Sequence, residues 1–196
     1  MAELEIRSGF SPFLSRQAAE LYFAAFEGKI GGVLGRDGRG ARFIEKVIDQ
    51  NHAISAVNDD ETWLLGIAGF KTAEGSMVGG ELSNLSSVYG LFGALWRALP
   101  LSLLERKLED DVLLMDGIAV AAGQRGKGVG TKLLAAILAE AKSRGKRRIR
   151  LDVIDTNPRA RALYEKVGFV ETGTEQLGPL KHLFGFSSAT KMEYVL

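Results

Sequence analysis

Between Gly123 and Thr131 the chain runs Gly-Gln-Arg-Gly-Lys-Gly-Val-Gly-Thr. An apolar run ends at Val120 and helical spacing begins at Val129, so this segment joins a buried strand to an amphipathic helix. The first turn of a helix leaves four N–H groups unpaired and carries partial positive charge. Glycines let a phosphate approach those groups closely, and Arg125 and Lys127 add full charges. The chemistry on offer is anion binding, most naturally of a pyrophosphate. Two nucleotide motifs fail on spacing. No register supplies Gly, four residues, then Gly-Lys-Ser/Thr, and the third glycine of the dinucleotide fingerprint, counted from Gly126 and Gly128, falls on Thr131.

A glycine cluster between strand and helix also serves as a plain tight connection. A second segment argues for more: Asn157-Pro158-Arg159-Ala160-Arg161-Ala162-Leu163-Tyr164-Glu165-Lys166-Val167-Gly168-Phe169. Arg125-Gly126-Lys127-Gly128-Val129-Gly130 matches Gln or Arg, two residues, Gly, one residue, then Gly or Ala. Both motifs, in this order and each with its strand and helix, resemble the GCN5-related N-acetyltransferases. The resemblance is close over residues 112–171 and loose before them. It implies an α/β fold with a central mixed, splayed β-sheet flanked by helices, in a single domain. It implies acetyl-CoA as co-substrate, its pantetheine arm in the gap of the sheet. Backbone groups of Ile118, Ala119 and Val120 would then bond the pantetheine amides. The N–H groups of Arg125, Gly126, Lys127, Gly128, Val129, Gly130 and Thr131 would hold the pyrophosphate.

Acetyl transfer to an amine needs the amine neutral, and a lysine-type amine has a pKa near 10. A general base is useful, as is a proton for the leaving thiolate. Tyr164 is the acid by family analogy; the plain alternative is a core tyrosine with a hydrogen-bonded tip. Asn157 would contact the coenzyme in the family's manner, or simply cap its helix. Asp116 is the candidate base: it breaks an apolar run and by strict alternation shares a face with Ile118 and Val120. Its alternative is to end the buried stretch and face water. Glu27 is a second candidate, with surface charge as the bland reading. Attack is direct, for the chain has no cysteine and no Gly-x-Ser-x-Gly elbow. His52 and His182, the only histidines, lack metal-ligand spacing, so no metal is expected.

These residues need a scaffold. Leu4 to Arg7 reads as a strand, Phe13 to Phe26 as a helix, and the glycine-rich Gly28 to Gly40 as a mobile loop. Ala41 to Gln50 resumes helical spacing. Ala53 to Val57 and Thr62 to Phe70 form a hairpin around Asn58-Asp59-Asp60. Leu82 to Leu108 is apolar but interrupted by Arg97 and Pro100, so a membrane span is not expected. It suits a lid, a dimer surface, a wall for an apolar acceptor, or an extra helical pair packed on the sheet. Val112 to Val120 is a buried strand, Val129 to Arg144 a helix, and Ile149 to Val153 a strand with one apolar side. Asn157-Pro158 starts a helix that stops at Gly168. Phe169 to Thr172 and Lys191 to Val195 complete the strands.

The 196 residues carry 25 Lys plus Arg against 24 Asp plus Glu, a formal net charge of +1. So balanced a chain lacks the field of a dedicated nucleic-acid binder. The run Lys142, Arg144, Lys146, Arg147, Arg148, Arg150 reads as a solvated helix end and strand face. The absence of cysteine fits a reducing compartment, and the start MAELEIRSGF lacks a secretory pattern, so a cytoplasmic protein is expected. The reading is an N-acetyltransferase acting on a primary amine of a small molecule or peptide. The alternatives are a non-catalytic acyl-CoA sensor on the same fold and, less suited to the charge balance, a nucleic-acid-binding module.

Overall fold

The structure is a computed structural model describing residues 4–80, 82–102 and 108–196. The elements follow as β1 (Glu5–Ser8), α1 (Ser15–Leu34), α2 (Arg39–Val47), β2 (Ala53–Val57), β3 (Leu64–Thr72), β4 (Gly75–Ser76) and α3 (Leu82–Ser102). The second half adds β5 (Val112–Val120), α4 (Val129–Ser143), β6 (Arg148–Ile154), α5 (Pro158–Val167), β7 (Val170–Gln176), α6 (Lys181–Phe184) and β8 (Ser188–Val195). One mixed sheet runs in the order β1-β2-β3-β5-β6-β8-β7, with β4 paired to β3. All pairs are antiparallel except β5 with β6. The expected mixed, open sheet flanked by helices is what forms.

The parallel pair positions the site. Its register runs only from Val112↔Arg148 to Leu114↔Arg150. Beyond Leu114, β5 continues along β3 while β6 continues along β8. The two central strands therefore part halfway along, leaving backbone edges that no strand covers. Such edges require partners elsewhere, because unpaired backbone polar groups are costly when buried.

The main core lies between the sheet and the helices α4 and α5. Leu133, Leu134, Ile137 and Ala141 of α4 are fully buried against Leu113, Met115, Ile149 and Leu151. The spacing that predicted a helix thus also named the buried face. On the other side of the sheet, Leu14 and Ala18 pack on Ile67 and Ala119.

Gly28 to Gly40 is not a mobile loop: α1 runs on to Leu34 and contains Gly28, Gly31 and Gly32. Close packing is the reason. A Cβ on Gly32 would stand 2.3 Å from the Leu183 carbonyl oxygen, and one on Gly40 would meet Phe23 at 2.3 Å. Only the turn to α2 is irregular. The stretch 82–108 is helical through Ser102, bent at Gly90; its residues 103–107 lie outside those described.

Candidate active site

The sharpest local feature is a β-bulge in β5. Gly69 pairs with Gly117 and Phe70 with Met115, so Asp116 faces no residue of β3. One extra residue in a strand shifts the alternation of everything after it. Before the bulge, Leu113 and Met115 point into the α4 core, while Leu114 and Asp116 line a cavity beneath α1. After it, Ile118 and Val120 pack on the α4 side and Ala119 on the α1 side. Asp116 therefore does not share a face with Ile118 and Val120, as strict alternation had it. Gly117 permits the bend: its φ is +140°, and a Cβ there would lie 2.3 Å from Phe26.

The cavity measures about 290 Å³. One face of α1 supplies Tyr22, Phe26, Lys29 and Ile30, and the two arms of bent α3 supply Leu85 and Leu101. Its floor is Lys71, Leu114 and Asp116 of the neighbouring strands β3 and β5. The apolar stretch after residue 82 is thus a wall of this cavity. Its other face is exposed, with Leu91, Phe92, Leu95, Trp96 and Leu99 on the surface. Arg97 turns inward instead, its guanidinium 4.1 Å from the Tyr89 ring and bonded to the Gly93 carbonyl. Burial lowers the Arg97 pKa and raises that of Tyr89.

The glycine loop sits where β5 ends. Ala121 donates to Leu65, a short 3-10 turn covers Ala122–Gln124, and α4 starts after Gly128. Gly126 and Gly128 hold φ of +78° and +82°, and a Cβ on either would meet nothing within 4 Å. Space therefore lies open in front of them. No side chain caps α4. Among the described residues, no backbone carbonyl takes the N–H groups of Gly126, Gly128, Val129, Gly130 or Thr131. Those donors and the helix dipole suit an anion, as does the exposed Lys127. Arg125 is exposed as well, but its Nε donates to the Val120 carbonyl at 3.2 Å. That bond ties the loop to the strand end.

Helix α5 closes the far side of the gap. Asn157 caps it, its Oδ1 accepting from the Ala160 N–H at 3.2 Å. Leu163 lies 3.1 Å from where a Cβ on Gly130 would stand, so α5 packs on the first turn of α4. Tyr164 is buried, with the Phe169 ring 5.9 Å away, in the cluster that includes Ile118 and Val120. The fold thus gathers the loop, Val120 and α5 at the open end of the gap, beyond the point where β5 and β6 part. Asp116 lies on the opposite face, toward the cavity.

Other candidates stand apart. Glu27 is paired with Arg36 at 3.2 Å, on the surface. His52 is buried and bonded to Asp49 at 2.8 Å, a structural role. Although burial alone would raise the Asp49 carboxyl, hydrogen bonds from Asn51 and His52 hold it below its ordinary value. His182 is exposed on α6. Among the described residues no group of acids and histidines could hold a metal ion. The basic run is largely answered by acids: Arg144 by Glu140, Arg148 by Glu109, Asp111 and Glu193, and Arg150 by Glu109. Lys29 and Lys71 were missed in the sequence. Only the side-by-side placement of β3, β5 and α1 makes them visible.

The acetyltransferase (GNAT) family matches the chain over residues 32–169. The chain belongs to that family. The structure is similar to an N-acetyltransferase from Staphylococcus aureus Mu50, with TM-score 0.69 and 21% identity over 97% of this chain and 100% of that one. It is also similar to a GCN5-related N-acetyltransferase from Kribbella flavida, at TM-score 0.62 and 18% identity over 98% of each chain. A third is Salmonella typhimurium yncA, solved with its cofactor acetyl-CoA, at TM-score 0.56 and 17% identity over 98% of this chain and 94% of that one. At these identities the likeness is one of fold. By sequence, "Probable N-acetyltransferase camello" of Xenopus tropicalis is 36% identical over 75 residues, 38% of this chain. The match spans about a third of that protein's length (34%). No described helix is long and apolar enough to cross a membrane.

Proposed function

We propose that this GNAT family member transfers an acetyl group from acetyl-CoA to a primary amine of a small molecule or peptide, by direct attack in a ternary complex. The observation that carries the reading is the parting of β5 from β6 beside an uncapped, glycine-led helix start. The open space before Gly126 and Gly128 and the unclaimed N–H groups fit a pyrophosphate. The uncovered edge of β5 fits a chain that carries amides, as pantetheine does.

Bound there, acetyl-CoA supplies an activated acyl carbon and a thiolate as leaving group. Asp116 takes the proton that the attacking amine must lose, from the cavity side of the bulge. Backbone N–H groups along Ile118 to Val120 steady the negative charge that grows on the thioester oxygen. Tyr164 donates its hydroxyl proton to the departing sulfur. The apolar walls exclude water and so strengthen each of these interactions.

The test is thiol release from acetyl-CoA across a panel of primary amines, with product mass as confirmation. An acetylated amine is the expected outcome. Tight acetyl-CoA binding with no acetylated product from any amine would favour the acyl-CoA sensor instead.

A further inference from the structure

We infer, resting on the acetyl-transfer reading above, that the acceptor is an α-amino acid with a large apolar side chain, and that Lys71 reads its carboxylate. The cavity under α1 and α3 joins three kinds of wall. Asp116 provides one negative charge at the bulge. Lys71 and Lys29 provide two positive charges. Most of the remaining lining is apolar or aromatic, including Tyr22, Phe26, Ile30, Leu85 and Leu101.

Lys71 decides the class. Its Cα pairs directly with that of Leu114, two residues before Asp116, so both charges rise from neighbouring strands on one floor. Lys71 is half-buried and, among the described residues, makes no ion pair. A partly desolvated ammonium with no counter-ion is a cost that an anionic ligand group relieves. A bare monoamine would answer Asp116 but leave the Lys71 ammonium without a counter-charge in the lining. A polyamine would add repulsion as well. An amino acid matches each wall: its amine toward Asp116, its carboxylate toward Lys71, its side chain against the aromatic and aliphatic lining. The size agrees, for about 290 Å³ holds a molecule of that scale.

The experiment compares L-phenylalanine, L-leucine and L-methionine with phenethylamine, isoamylamine, L-phenylalanine amide and spermidine. Wild type and Lys71→Met are both assayed by kcat/KM. Binding of L-phenylalanine in the presence of coenzyme A is measured by calorimetry, which needs no turnover. A charge-assisted contact implies a preference of about 10-fold or more for L-phenylalanine over phenethylamine. In Lys71→Met that ratio should fall to near one, mainly through KM. A thermal melt checks that the variant is folded. Equal wild-type rates for acid and decarboxylated amine overturn the proposal, as does a preference that survives in Lys71→Met. Acetyl-CoA binding with acetylation of spermidine alone also overturns it, while leaving the acetyl-transfer reading intact. Failure of acetyl-CoA itself to bind, read by a separate calorimetric titration without amine, sinks both.

Discussion

At the scale of single residues, Asp116 and Tyr164 carry the proposed proton transfers from different faces of one strand. Asp116→Asn should lower kcat by about 100-fold or more and flatten the acidic limb of the pH–rate profile, with acetyl-CoA affinity kept. Steady-state kinetics across pH measures both. Tyr164→Phe keeps the ring that packs near Phe169, so its melting temperature should hold while kcat falls about 100-fold. A rate within twofold of wild type would mean that Tyr164 is only a core tyrosine. Both residues were legible in the sequence, one as a polar break in an apolar run and the other by position in a motif. The face of Asp116 was not legible. Alternation assumes an unbroken ladder, and a bulge leaves little trace in one sequence beyond the glycine that follows it.

The elements explain why those residues stand where they do. Gly117 makes the bulge possible, and its substitution should be felt in folding. Gly117→Ala places a methyl against Phe26 in a left-handed conformation, a cost of roughly 2–4 kcal/mol from strain and overpacking together. Urea unfolding would read that loss as a lower midpoint. The junction before β5 offers a pH test. Arg148 hydrogen-bonds Asp111 and, with its charge, holds that carboxyl below its ordinary value of 3.8. A depressed folded pKa contributes stability present above 3.8 and lost as pH falls through the lower folded value. Asp111→Asn should therefore lose part of the wild type's acid sensitivity below that pH, seen in thermal melts. Helices α4 and α5 and strands β5 and β6 were legible because periodicity and caps agreed there. Gly28 to Gly40 misled because glycine density signals loops, whereas here glycines allow α1 to approach Leu183 and Phe23 to approach α2. Contacts so distant in sequence leave no local pattern.

Across the whole molecule, one sheet opens where β5 leaves β6, and that opening separates two kinds of surface. On one side lies a helix start that suits phosphates; on the other, a cavity with Asp116 and Lys71 on its floor. The family and the mixed sheet followed from two short motifs, since both sit on backbone geometry that few other sequences need. The cavity was not legible, because its main walls come from α1, β3, β5 and α3, with α2 and the turn after β4 adding to the lining, and these segments share no signature.

The proposed function requires that the opening bind acetyl-CoA through the glycine loop. Calorimetric titration of the purified protein with acetyl-CoA tests it most directly, beside Gly128→Val, which forces a β-branched side chain into the left-handed position at the helix start. Saturable one-to-one binding is expected in the wild type and a loss of affinity of about 10-fold or more in the variant, with its fold kept by circular dichroism. No heat of binding at millimolar acetyl-CoA, or equal affinity in both proteins, would contradict it.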